Sequence, residues 1–153
     1  MPEVQEIVRR CKLDFVQLHG NESPEYCRLI KIPVIKAVRV GVDFNPSILA
    51  AYDVEWILLD SFVAGQQGGT GTTFNWQQAQ ILRQQITTPL FVAGGLTAEN
   101  VGEAVRILSP EGIDVSGGVE THGKKDIEKI EQFLIAARKA KGGIEKHAEK
   151  NYR

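Results

Sequence analysis

Apolar positions along this chain alternate between two spacings. Val4, Ile7, Val8 and Cys11 recur at helical intervals, one stripe of a 3.6-residue period. Pro2 suits the first turn of that helix, where its missing N–H would have no partner anyway. Asp14-Phe15-Val16-Gln17-Leu18-His19-Gly20 then reads as a short strand closed by glycine. Ser23 before Pro24 has the form of a helix start, a side-chain cap followed by proline at the first helical position, and predicts a helix to Lys31. Pro33 opens a second strand at 34–38, and a helix at 46–52 follows. Trp56-Ile57-Leu58-Leu59 is a third strand, ending in Asp60-Ser61. After a glycine-rich loop at 65–71, Asn75 with Gln78 forms a capping-box pattern for a helix to Gln85. Leu90-Phe91-Val92-Ala93 is a fourth strand, stopped by Gly94-Gly95. Thr97 caps the next helix, with Val101, Ala104, Val105 and Leu108 on one face. Gly112-Ile113-Asp114-Val115 is a fifth strand, followed by Ser116-Gly117-Gly118. A last helix at 126–141 puts Ile127, Ile130, Phe133, Leu134 and Ala137 on one side, and Gly142-Gly143 ends it.

The predicted strands are continuous apolar runs, as expected where both faces of a parallel sheet are covered. Helices between parallel strands leave two α/β architectures, an open doubly wound sheet and a (βα)8 barrel. The open sheet often carries Gly-x-Gly-x-x-Gly after its first strand; here the run is Gly20-Asn21-Glu22. Polar residues and glycines recur instead at the C-terminal ends of the strands, where barrel enzymes keep their chemistry. The pattern favours a (βα)8 TIM barrel truncated to five parallel strands with their helices. It predicts a partial barrel at 1–141 and a polar tail at 142–153.

Composition narrows the function classes. Of 153 residues, 42% are hydrophobic and 24% charged, a globular balance. Lys and Arg total 18 against 19 for Asp and Glu, so no basic excess points to nucleic acid or an anionic membrane. The apolar runs are too short to span a bilayer, and no signal-peptide pattern opens the chain. These features predict a soluble, cytoplasmic protein. Cys11 and Cys27 make neither a disulfide framework nor a zinc site; both fit helix faces as buried filler. His122 and His147 have no metal-ligand company, so no metal site is expected.

Four features carry candidate chemistry. Asp60 follows four apolar residues at a strand end, a partly desolvated setting that suits a general acid; a cap partnered with Ser61 is the other reading. Gln17 and His19 share one face of their strand by the period of two, which suits hydrogen bonding to a substrate, against a histidine satisfied by backbone. Gly94-Gly95 and Ser116-Gly117-Gly118 follow the last two strands, where backbone N–H groups can hold a phosphate, against ordinary turn chemistry. The loop at 65–71 has the length and glycine content of a lid.

Together these motifs resemble phosphoribosylanthranilate isomerase, a (βα)8-barrel enzyme family of tryptophan biosynthesis. The resemblance rests on Val16-Gln17-Leu18-His19-Gly20-Asn21-Glu22, Leu58-Leu59-Asp60-Ser61, Gly68-Gly69-Thr70-Gly71 with Phe74-Asn75-Trp76, Ala93-Gly94-Gly95-Leu96-Thr97-Ala98-Glu99-Asn100-Val101, and Asp114-Val115-Ser116-Gly117-Gly118-Val119-Glu120 with Gly123, Lys124 or Lys125, and Asp126. It implies an Amadori rearrangement of N-(5-phosphoribosyl)anthranilate to 1-(2-carboxyphenylamino)-1-deoxyribulose 5-phosphate, without cofactor or metal. It implies Asp60 as the general acid on the ribose ring oxygen. Gln17, His19 and Asp114 would line the pocket, and Gly94, Gly95, Ser116 and Gly117 would hold the phosphate.

The departures are also informative. The chain begins where the family's third helix would stand, without the Lys-x-Cys-Gly-type motif whose cysteine acts as general base. Asn75 stands where the family has aspartate, and Gly117 where it usually has a second serine. Exposed edges at the first and last strands predict self-association. A non-catalytic, self-associating fragment that keeps a phosphate half-site is the alternative to an isomerase. A further phosphosugar barrel, the indole-glycerol-phosphate synthase type, would want a catalytic lysine pair and a glutamate, of which only Lys36 on a strand is visible.

Overall fold

In the computed structural model, residues 2–40, 44–61 and 76–150 are described. The apolar runs form β1 (Val16–Leu18), β2 (Val34–Val40), β3 (Trp56–Ser61), β4 (Leu90–Ala93) and β5 (Gly112–Ile113). They lie in one sheet in chain order, β1-β2-β3-β4-β5, and every pairing is parallel. A chain that always steps to the next strand in one direction, through right-handed crossovers, leaves all its helices on one face. A doubly wound sheet must instead reverse direction at a switch point. The fold is therefore α/β of the (βα)8-barrel type, with five parallel strands and β1 and β5 at the edges.

The helices are α1 (Pro2–Cys11), α2 (Pro24–Arg28), a 3-10 helix at Pro46–Ala51, α3 (Trp76–Gln85), α4 (Val101–Leu108) and α5 (Ile127–Lys150). Ser23 caps α2 as its position before Pro24 predicts, accepting from the Tyr26 N–H at 3.2 Å. The main core lies between strands and helices. Ile57, Leu59, Leu90 and Val92 pack against Val101, Ala104, Val105 and Leu108 of α4 and Phe133, Ala137 and Ala140 of α5. Burying each of the larger side chains stabilises the fold by about 1.5–3 kcal/mol. A second cluster of Leu18, Cys27, Ile30 and Val34 closes the β1 end.

The opposite face of the sheet would be the inside of a barrel. Ala37, Leu58 and Ala93 are buried there, with Ile35 and Phe91 against them. Trp56 stacks on Phe91, ring centroids 4.6 Å apart. The Phe91 ring lies over Gly112, where an added Cβ would come within 1.7 Å of Cε1. Only glycine leaves room for it.

Several local expectations change. Thr97 does not cap α4. The Asn100 side chain accepts from the Thr97 N–H at 2.8 Å, and the Thr97 carbonyl accepts from Val101 N at 3.0 Å. Residues 97–100 thus form a separate turn before the helix. α5 is capped by Asp126, whose Oδ1 accepts from Glu128 N at 3.0 Å. It runs through Gly142-Gly143 to Lys150, because strong helix formers on both sides outweigh the roughly 1 kcal/mol each glycine costs. Cys27 is buried but Cys11 is exposed, because α1 reaches the second cluster mainly through Val4. In the rest of its stripe Ile7 is exposed and Val8 half-buried. A hairpin that the pattern misses, β6 (Glu120–Thr121) with β7 (Lys124–Lys125), follows a 3-10 turn at Gly117–Val119. His122 and Gly123 turn it with φ of 52° and 73°. The loop at 65–71 and the capping position Asn75 lie outside the described residues.

Candidate functional site

Parallel register decides which side chains meet. Gln17 pairs with Ile35, and Ile35 with Trp56; Arg39 pairs with Asp60, and Asp60 with Ala93. Partners in register share a face, so Gln17, Arg39 and Asp60 all lie on the face away from the helices, at the C-terminal side of the sheet. His19, the residue after β1, faces the same way. Its Nε2 is 3.1 Å from Asp60 Oδ2, across the intervening strand. Both side chains are partly open to solvent, 39% and 29% exposed. The Asp60 carboxylate thus engages the imidazole of His19, a pair able to share and pass on one proton. Gln17 is exposed on the same face. Asp114 is exposed just beyond β5, and its N–H donates to Val92 O at 2.9 Å.

The two glycine segments lie against each other. Gly94 and Gly95 have φ of 83° and 59°, the left-handed region that other residues enter only at a cost. Gly118 sits so close to the Leu96 carbonyl that an added Cβ would lie 1.7 Å from its oxygen. Backbone contact therefore joins the 94–96 loop to the 116–118 turn. At Gly117 an added Cβ would meet nothing within 4 Å, so a serine side chain would fit there. Lys125 Nζ donates to Ser116 Oγ and to Ser116 O, 3.1 Å each, and to Glu120 Oε1 at 2.7 Å. This arrangement sets backbone N–H groups and the Ser116 hydroxyl in one place for an anion, beside an ammonium whose three N–H donors go to Ser116 and Glu120.

Arg39 is a residue that sequence reasoning did not place: it lies opposite Asp60 in the strand register. For Lys125, the motif left two adjacent lysines open, and the hairpin turns the second onto Ser116. Lys36 is corrected. It lies on the helix-facing side of β2, 3% exposed, bonded to Leu18 O, Gly20 O and Glu22 Oε2. It therefore cannot act as a catalytic lysine on the face that carries Asp60. Burial pushes the Glu22 carboxyl up, but hydrogen bonds from Lys36 and from the Glu22 and Gly20 N–H groups outweigh it and hold the pKa below the usual value. Burial raises the Cys27 thiol; it lies in the cluster on the helix side, away from Asp60. Among the described residues no group of three or more His, Cys, Asp or Glu could hold a metal ion. No described helix is long and apolar enough to cross a membrane.

The family profile described as N-(5'phosphoribosyl)anthranilate (PRA) isomerase matches residues 1–136. The chain belongs to the PRA isomerase family. An N-(5'-phosphoribosyl)anthranilate isomerase of Moorella thermoacetica is 47% identical over 140 residues, 90% of this chain and 61% of its own length. The chain thus spans about three fifths of that relative. The solved PRA isomerase of Pyrococcus furiosus superposes with a TM-score of 0.72 at 30% identity, over 90% of this chain and 68% of that one. A PRA isomerase solved in complex with reduced 1-(o-carboxyphenylamino)-1-deoxyribulose 5-phosphate superposes with a TM-score of 0.68 at 33% identity, over 90% of this chain and 66% of that one.

Proposed function

We propose that this chain carries the acid and phosphate-gripping part of a PRA isomerase, with N-(5-phosphoribosyl)anthranilate as substrate. The observation that carries the reading is the His19–Asp60 pair, 3.1 Å apart, at the same C-terminal end of the sheet as two glycine segments in backbone contact. Asp60 is the general acid. Its proton goes to the ribose ring oxygen as the C1–O bond breaks and the anilino nitrogen forms the iminium. His19, against the same carboxyl, helps restore the proton. Gln17 and Asp114 bind the sugar and the anthranilate. The N–H groups of Gly94, Gly95, Ser116 and Gly117 hold the phosphate, with Lys125 supplying positive charge. The next step removes the C2 proton, for which the family uses the cysteine of a Lys-x-Cys-Gly motif that none of these 153 residues forms.

The edges at β1 and β5 support self-association, β1 being three residues long with Leu13 and Phe15 exposed beside it. The barrel portion is 1–141, with 142–153 an extension beyond it. A reducing cytoplasm suits the two unpaired cysteines.

The test is titration of the purified chain with reduced 1-(o-carboxyphenylamino)-1-deoxyribulose 5-phosphate, followed by tryptophan fluorescence, alongside an isomerase assay. Saturable binding that inorganic phosphate competes away is expected, with turnover abolished by Asp60→Asn. Absent or phosphate-insensitive binding would refute the reading.

A further inference from the structure

We infer that Lys36, paired with Glu22, is a positioning residue that holds His19 against Asp60 from the far side of the sheet. The inference rests on the proposed function only in treating His19 and Asp60 as the acid site. Lys36 is the buried charged residue among the described residues, 3% exposed. A buried ammonium is costly unless paired and fully hydrogen-bonded. It has three N–H donors and three acceptors: Leu18 O at 3.4 Å, Gly20 O at 2.8 Å and Glu22 Oε2 at 2.8 Å. Two of these acceptors are the carbonyls on either side of His19, so the ammonium grips the backbone at both flanks of that residue.

Among the described residues, the last register pair of β1 is Leu18 with Lys36, so His19 begins a segment beyond that pairing. Glu22 folds that segment back. Its Oε2 also accepts the Gly20 N–H at 2.9 Å, and its carbonyl accepts the Tyr52 hydroxyl at 2.9 Å. Residues 18–22 are thereby tied from the helix side, while the His19 imidazole points to the other face. An arginine would not substitute. Its planar fork cannot converge three donors on acceptors arranged around one point.

The test uses the full chain and the ring N–H of His19 in imidazole ¹H–¹⁵N spectra, identified by its loss in His19→Gln. A slowly exchanging ring proton is expected in the wild type. It should disappear in Lys36→Met and in Lys36→Arg, with amide protection in β3 and β4 retained. Glu22→Gln, which keeps the ammonium and most of its bonds, should leave the ring proton visible but exchanging about tenfold faster, as losing one charge-assisted partner implies. That variant decides the matter if Lys36→Met fails to fold. A ring proton unchanged in a folded Lys36→Met or in Glu22→Gln would overturn the inference, as would its absence from the wild type. A ring proton lost in a folded Lys36→Met, with isomerase turnover the same in wild type and Asp60→Asn, would support the positioning role and refute the acid-site reading.

Discussion

Replacing Gly118 by alanine tests whether contact between the two glycine segments builds the phosphate site. The new Cβ would lie 1.7 Å from Leu96 O, 2.9 Å from Leu96 C and 3.3 Å from Thr97 Cα. All three are backbone atoms, so no rotamer change relieves the clash. Since Cβ contacts essentially never fall under 3.0 Å, the two loops must separate by more than 1 Å. Overpacking of this kind costs about 1–3 kcal/mol, and each kcal/mol lowers Tm by about 2–4 °C in a domain of this size. The separation also pulls the N–H groups of Gly94 and Gly95 away from those of Ser116 and Gly117. Misplaced donors should weaken phosphate binding about tenfold for each 1.4 kcal/mol lost. Gly117→Ala is the control, because its Cβ meets nothing within 4 Å. The assay is calorimetric titration with inorganic phosphate, with thermal unfolding of both variants. Gly118→Ala binding phosphate as the wild type does, or Gly117→Ala failing equally, would refute the argument.

Leu59→Ala should destabilise the chain by about 2–5 kcal/mol, since Leu59 is 1% exposed within the main core cluster; urea unfolding measures it, and a loss under about 1 kcal/mol would mean the core does not pack as described. Glu22 gives a pH dependence. Its folded pKa lies below the usual 4.5, so its stabilisation is fully present above that value and is lost as pH falls through the folded pKa. The stability difference between wild type and Glu22→Gln should therefore be constant near neutrality and shrink in acid. Urea midpoints across that range check it, and a difference that grows on acidification would contradict the sign.

Signals carried by neighbouring residues were legible in the sequence. The four-residue run at Leu90–Ala93 is a strand with those bounds, and Pro2 and Cys11 bound α1 as the stripe implies. Ser23 before Pro24 leaves one reading. Two capping residues close together, Thr97 and Asn100, leave two, and the side chain of the second closed the turn. The site was legible as residue types at strand ends but not as contacts. His19 and Asp60 are 41 positions apart, and a strand lies between them. Period two places Gln17 and His19 on one face, yet it cannot say that β2 presents Arg39 there and turns Lys36 away. That choice is made by Val34, Val38 and Val40, which bury the other face.

Sequential strand order bears on how the sheet assembles. Each strand pairs with the next in the chain, Val16 with Val34, Ile35 with Trp56, Ile57 with Leu90 and Phe91 with Gly112. Every closure therefore spans one connecting unit, and its entropic cost grows only slowly with length. Folding built from such local closures is fast for a parallel sheet. The longest ladder, between β2 and β3, is the natural nucleus, and growth proceeds outward by single units. β1 and β5 then join last and open first, so hydrogen exchange should slow steadily from the rims to the centre.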